Sequence, residues 1–137
     1  MGRKQARIGA MQVLFQMESN SDFSQELLER YFDNFEYDDG EQSYINDAVN
    51  SIKDNLSIID KYISNNLEGW SIYRLARVDL AVLRIAIYEI LYREDIPVEV
   101  SINEAIEIVK KYSNEDSFKF INGVLGSFVR GVNINNQ

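Results

Sequence analysis

A chain of 137 residues with 45% hydrophobic content has the size and apolar fraction of one globular domain that can bury a core unaided, which excludes a disordered chain. It has no cysteine and no histidine, which excludes disulfides and thiolate metal centres and removes the commonest general base and metal ligand together. The net charge of −8 fits a well-solvated protein, and neither a membrane-length apolar run nor a secretory apolar region is present, so a cytoplasmic location is expected.

The charge is unevenly spread. Residues 1–17 carry Arg3, Lys4 and Arg7 and no acid, whereas residues 18–62 carry twelve acids against three bases. The first helix spans Arg3 to Met17, with Ile8, Met11, Leu14 and Phe15 at helical spacing. Its three cations fall three and four residues apart and can share one face. They occupy the first turns, where the helix dipole disfavours positive charge, so their removal should hardly affect folding. Ordinary solvation is one account of them; an arginine-rich segment neutralising phosphates is the other. Gly9, which costs about 1 kcal/mol in a helix interior relative to alanine, predicts close approach by another backbone.

Ser24 is placed to cap a second helix carrying Leu27, Leu28, Tyr31, Phe32 and Phe35, and Asp38-Asp39-Gly40 should break it. A third helix runs from about Glu41 with Tyr44, Ile45, Ala48, Val49, Ile52 and Leu56 on one side. Ser57 and Asp60 have capping-box spacing and predict a restart. The fourth segment uses Ile59, Tyr62, Ile63 and Leu67 and ends near Gly69, with Trp70 expected to fold back as a plug.

The run Val78–Tyr92 is apolar around nearly its whole circumference, as in a helix enclosed by others. Arg77 and Arg84 project to one edge, and Asp79, Glu89 and Arg93 to another, where gaps between neighbouring helices should let them emerge. Pro97 breaks the chain. Ser101 and Glu104 then predict a capping box for a helix with Ile102, Ala105, Ile106, Val109 and Tyr112 inward. Lys110 and Lys111 in its last turn are accounted for by the dipole. The last helix starts near Asn114, with Phe118, Ile121, Val124, Leu125 and Phe128 facing the core. Asp116, Lys119, Phe120 and Gly123 fall on the opposite face, which makes Phe120 beside Lys119 a candidate base-stacking platform.

The fold class is therefore all-α: about seven helices in two small bundles sharing a central buried helix, one domain over residues 1–137 with 131–137 as a frayed tail. No catalytic constellation or phosphate-binding loop is present, and the paired carboxylates read as caps and turns rather than a metal site. The residues alone describe a helical binding module with one small basic edge, expected to need no cofactor and no metal.

Several motifs in order go further. Arg77-Val-Asp-Leu-Ala-Val-Leu-Arg84, Ala86-Ile-Tyr-Glu89, Pro97, Ile102-Asn-Glu-Ala-Ile-Glu107 and Phe120-Ile-Asn-Gly-Val-Leu125, after an opening Arg3-Lys4-x-Ala6-Arg7 and Gln12-x-Leu14-Phe15, together resemble the NusB family of transcription antitermination factors. The resemblance covers the whole chain. It implies a non-enzymatic RNA-binding protein that, with the ribosomal protein NusE, binds the boxA element of nascent ribosomal RNA. With other Nus factors on RNA polymerase, such a protein suppresses premature termination. By the same resemblance Arg3, Lys4 and Arg7 match arginine-rich RNA contacts, and Lys119 and Phe120 match the RNA-facing part of the last helix. Asp79 matches an acidic position that meets NusE, with Phe15 near the same surface. Gln5 departs from the pattern, standing where many members carry another base. Two alternatives are a relative of the RNA-binding domain of an RNA methyltransferase, set aside because no methyltransferase domain follows, and a protein-interaction adaptor or homodimer that does not touch RNA.

Overall fold

The apolar run around residue 85 folds as a single helix because no neighbour in the sequence could cover all its sides; only other helices can. A computed structural model describes residues 2–135, with side chains as far as residue 132. The order is α1 (Gly2–Asn20), α2 (Gln25–Asn34), α3 (Asp39–Asp54), α4 (Leu56–Asn65), a 3-10 turn (Ile72–Arg74), α5 (Arg77–Tyr92), α6 (Val98–Tyr112) and α7 (Ser117–Asn135). Among the described residues there are seven α-helices and no strand. Helix α5 touches α1, α3, α4, α6 and α7, while α2 rests on α1. The shared central helix is thus the hub of both halves. Its Leu83 and Ile87 are fully buried, as are Leu14 of α1 and Ile52 of α3; truncating any of these to alanine should cost about 2–5 kcal/mol.

The helix boundaries follow local chemistry that overrides several expectations. Ser24 does cap α2, its Oγ accepting from Leu27 N at 3.3 Å. Asp38 is not a breaker but the N-cap of α3, in a full capping box with Glu41, so Asp39 and Gly40 lie inside the first turn. Between α3 and α4 the cap is Asn55, whose side chain does not cap α4 but donates back to the Ser51 carbonyl at 2.8 Å. Asp60 does not close a box with Ser57; it is drawn away to Arg84, whose guanidinium reaches it at 2.8 and 2.9 Å. Helix α6 begins at Val98 behind Pro97, so Ser101 sits one turn inside it and turns its hydroxyl to Glu89. Trp70 is no plug: it follows the positive-φ turn at Gly69 and is 54% exposed. Tyr112 lies at the surface rather than inward, and Phe118 is only half-buried. The expected tail is helical as far as Asn135; residues 136 and 137 lie outside the described residues.

Gly9 is tightly enclosed, but by side chains. A Cβ there would stand 2.6 Å from Tyr37 Oη and 2.8 Å from Ile45 Cδ1. The same Tyr37 hydroxyl is within 2.7 Å of the Tyr31 hydroxyl, which donates to Gln12 at 2.6 Å. Glycine thus lets the loop after α2 bring Tyr37 onto α1.

Candidate nucleic-acid interface

The three cations of α1 do not share one fate. Arg3 and Lys4 are exposed, whereas Arg7 is buried. Arg7 donates from Nε to Glu89 Oε2 at 2.8 Å and from Nη2 to Oε1 at 3.1 Å, with Glu104 3.6 Å away. Glu89, equally buried, also accepts from Ser101 Oγ at 2.7 Å and from the Tyr44 hydroxyl. Burial would lower the Arg7 pKa, but the Glu89 carboxylate outweighs it and the net shift is upward. Burial likewise pushes Glu89 up, and the hydrogen bonds from Arg7, Tyr44 and Ser101 reverse that, holding it below its ordinary range.

Arg7 is therefore corrected from an RNA contact to an internal fastener of α1, α5 and α6. The residue is 4% exposed and its guanidinium is turned inward in a fork with a carboxylate, so it is not presented to a phosphate at the surface. One turn earlier, Arg3 sits over the Tyr44 ring, 5.0 Å from its centroid. The helical spacing is the same, but the neighbours differ from turn to turn. Glu89 likewise does not emerge from the core, and neither does Arg84, which pairs with Asp60 and with Glu18 at 2.7 Å.

Lys4 opens onto a cleft of about 280 Å³ that includes Gln5 and Ile8 from α1 and, from the end of α6, Lys110, Lys111 and Tyr112 with one carboxylate, Glu107. The helix dipole accounts for the two lysines within α6. It does not announce that α6 ends against the beginning of α1, and no other local pattern does. Lys111 Nζ lies 5.4 Å from the Tyr112 centroid, and Lys110 Nζ lies 4.9 Å from that of Phe118, so the basic edge continues onto α7. There Lys119 is exposed and Phe120 half-buried at the rim of the core. Both line a second cleft, of about 380 Å³, together with Trp70, Glu68 and Arg130. Phe120 is thus less free of the core than its helical phase suggested.

The two expected partner residues lie elsewhere. Asp79 is in the first turn of α5, 6% exposed, and its Oδ1 has no hydrogen-bond partner. Phe15 is exposed on α1. Neither lines the groove of about 530 Å³ that Glu18, Asp60, Tyr73, Leu80 and Arg84 border. Among the described residues no group of three or more acidic, histidine or cysteine side chains is arranged to hold a metal, and no helix is long and apolar enough to cross a membrane.

Fold and surface together define a class: a helical binding module whose cationic and aromatic side chains line two clefts, one between α1 and α6 and one between α7 and the end of α4. The NusB family model matches residues 4–130, and the chain belongs to the NusB family. It is 43% identical over 132 residues to the transcription antitermination protein NusB of Clostridium novyi (strain NT), covering 95% of this chain and 99% of that one. The fold is similar to that of T. maritima NusB, with a TM-score of 0.87, 41% identity and coverage of 95% and 92% of the two chains. It is also similar, with a TM-score of 0.83, 27% identity and coverage of 94% and 96%, to a chain in a crystal structure of antitermination factors NusB and NusE in complex with dsRNA.

Proposed function

We propose that the chain is a transcription antitermination factor that, with NusE, binds the boxA element of nascent ribosomal RNA beside RNA polymerase and other Nus factors. It would act in the cytoplasm, by binding rather than by catalysis. The observation that carries the reading is the convergence of Lys4 from α1 with Lys110, Lys111 and Tyr112 from α6 on one cleft. Cations alone would hold any polyanion, and an aromatic ring alone is unremarkable. The two side by side supply phosphate neutralisation and a stacking surface, which single-stranded RNA needs together. The RNA path runs from Arg3 and Lys4 over the α6–α7 corner to Lys119 and Phe120. Asp79 and Phe15 are assigned to NusE, whose basic groups would meet the Asp79 carboxylate, of which Oδ1 has no partner within the chain. The acidic helices α2 and α3 repel the backbone and confine RNA to the basic edge. The test is a titration of boxA-like RNA across a salt series, with and without NusE. Salt-sensitive binding that NusE tightens is expected. Absence of RNA binding under both conditions would refute the reading.

A further inference from the structure

The cleft beside Phe120 contains an aromatic residue to which neither the helical patterns nor the family resemblance gives a role in binding. We infer that Trp70 is a second stacking residue, and that its cleft takes one nucleobase of single-stranded RNA next to Phe120. The inference rests on the proposed RNA path and extends it past the start of α7.

Four observations converge on this site. Trp70 is an indole left 54% exposed, on a turn whose Gly69 has φ +72°, a conformation that favours glycine. The Arg74 guanidinium lies over the indole, 5.4 Å from its centroid, holding the ring without covering it. Ser127 of α7 donates to Asn66 at 2.6 Å, which ties the end of α4 to α7 and fixes the cleft walls. Gly123, one turn beyond Phe120, would find nothing within 4 Å of an added Cβ, so a flat ring can approach the helix there.

Charge then orients the ligand. Lys119 and Arg130 line the cleft, as does a single carboxylate, Glu68. A phosphate is drawn to the two cations on α7 and repelled by Glu68 on the opposite wall. The sugar–phosphate backbone therefore follows α7, and the base points across to Trp70. A peptide partner would have no comparable use for two cations beside two aromatic rings, whereas a nucleotide uses both.

The chain has one tryptophan, so its fluorescence reports on this site alone, and a stacked base quenches indole emission. The experiment follows Trp70 emission and the anisotropy of labelled boxA-like RNA in the same titration of the full chain. Quenching in step with anisotropy is expected. Trp70→Ala should melt like the parent, bind RNA about tenfold more weakly and keep the parent's salt dependence, because the cations that neutralise phosphates are untouched. Trp70→Phe should restore most of the affinity. Saturable RNA binding with unchanged emission and parent-like affinity of Trp70→Ala would overturn the inference and leave the RNA-binding reading intact. Emission that responds to NusE and not to RNA would overturn it in favour of a protein contact. No anisotropy change at all would refute the RNA-binding reading, and this inference with it.

Discussion

Arg7→Ala separates an internal fastener from an RNA contact. The substitution removes two hydrogen bonds, of 2.8 and 3.1 Å, from a carboxylate that is 1% exposed. It leaves Glu89 with only the hydroxyls of Tyr44 and Ser101. Stranding a buried charge in this way costs about 3–5 kcal/mol, a large share of the roughly 5–15 kcal/mol that holds a domain together. The melting temperature should fall by roughly 10–20 °C. The pH dependence carries a second signature. In the parent, Glu89 is held below its ordinary value, so its contribution is complete above the unfolded pKa and is lost only as pH falls through the lower folded one. In the variant, burial without the guanidinium should place the folded pKa above the unfolded one. The stability deficit at neutral pH should then shrink as pH falls through the raised folded pKa towards the unfolded one, where the parent gains nothing. The double variant Arg7→Met, Glu89→Gln, which leaves no unpaired charge, should recover much of the loss. Denaturant titrations between about pH 5 and 7 measure all three. A loss under about 1 kcal/mol with no pH effect, the behaviour of a surface pair, would refute the fastener role. RNA binding of folded Arg7→Ala should keep the parent's salt slope.

Arg3→Ala with Lys4→Ala should instead leave melting unchanged and flatten the log–log salt dependence of RNA binding by about 0.7 for each phosphate no longer neutralised, read by anisotropy across a salt series. Asp79→Asn should change stability by only about 0.3–1 kcal/mol, the worth of a carboxylate at a helix start. Asp79→Lys should weaken NusE binding by several kcal/mol through like-charge juxtaposition, and normal NusE affinity in calorimetry of the folded variant would remove Asp79 from that surface. Gly9→Ala adds a methyl group 2.6 Å from Tyr37 Oη; overpacking should cost about 1–3 kcal/mol in spite of alanine's better helix propensity, and a stabilised variant in thermal melts would contradict the close approach.

The central helix was legible because its apolar positions leave no face for solvent, a property of the run itself. The all-α class followed from it and from the stripes of the other helices. What could not be read were features fixed by which helix ends meet. Arg3 and Arg7 lie one helical turn apart on α1, and the position of α5 and α6 makes one a surface cation and the other a buried partner. Ser101 has capping-box spacing with Glu104, yet Pro97 starts the helix a turn earlier and a carboxylate 12 residues back in the chain takes the serine hydroxyl. Trp70 looked like core because large aromatic residues usually are; its exposure depends on the turn at Gly69 and on Arg74.

The two buried arginines also impose an order on the growing chain. Arg7 is synthesised 82 residues before Glu89, and Glu18 waits across 66 residues for Arg84. Helix α1 can coil as soon as it is made and can pack against α2 and α3, but Arg7 and Glu18 have no counterparts until α5 has been added. Lengthening such a loop adds little entropy, since the cost grows only with the logarithm of its length. It does make the decisive contacts non-local, and such contacts slow the final collapse. A ribosome-bound fragment ending in α4 would therefore hold α1 against α2 and α3 with its second arginine still unpaired, and the first helix made would lock into place only after the fifth.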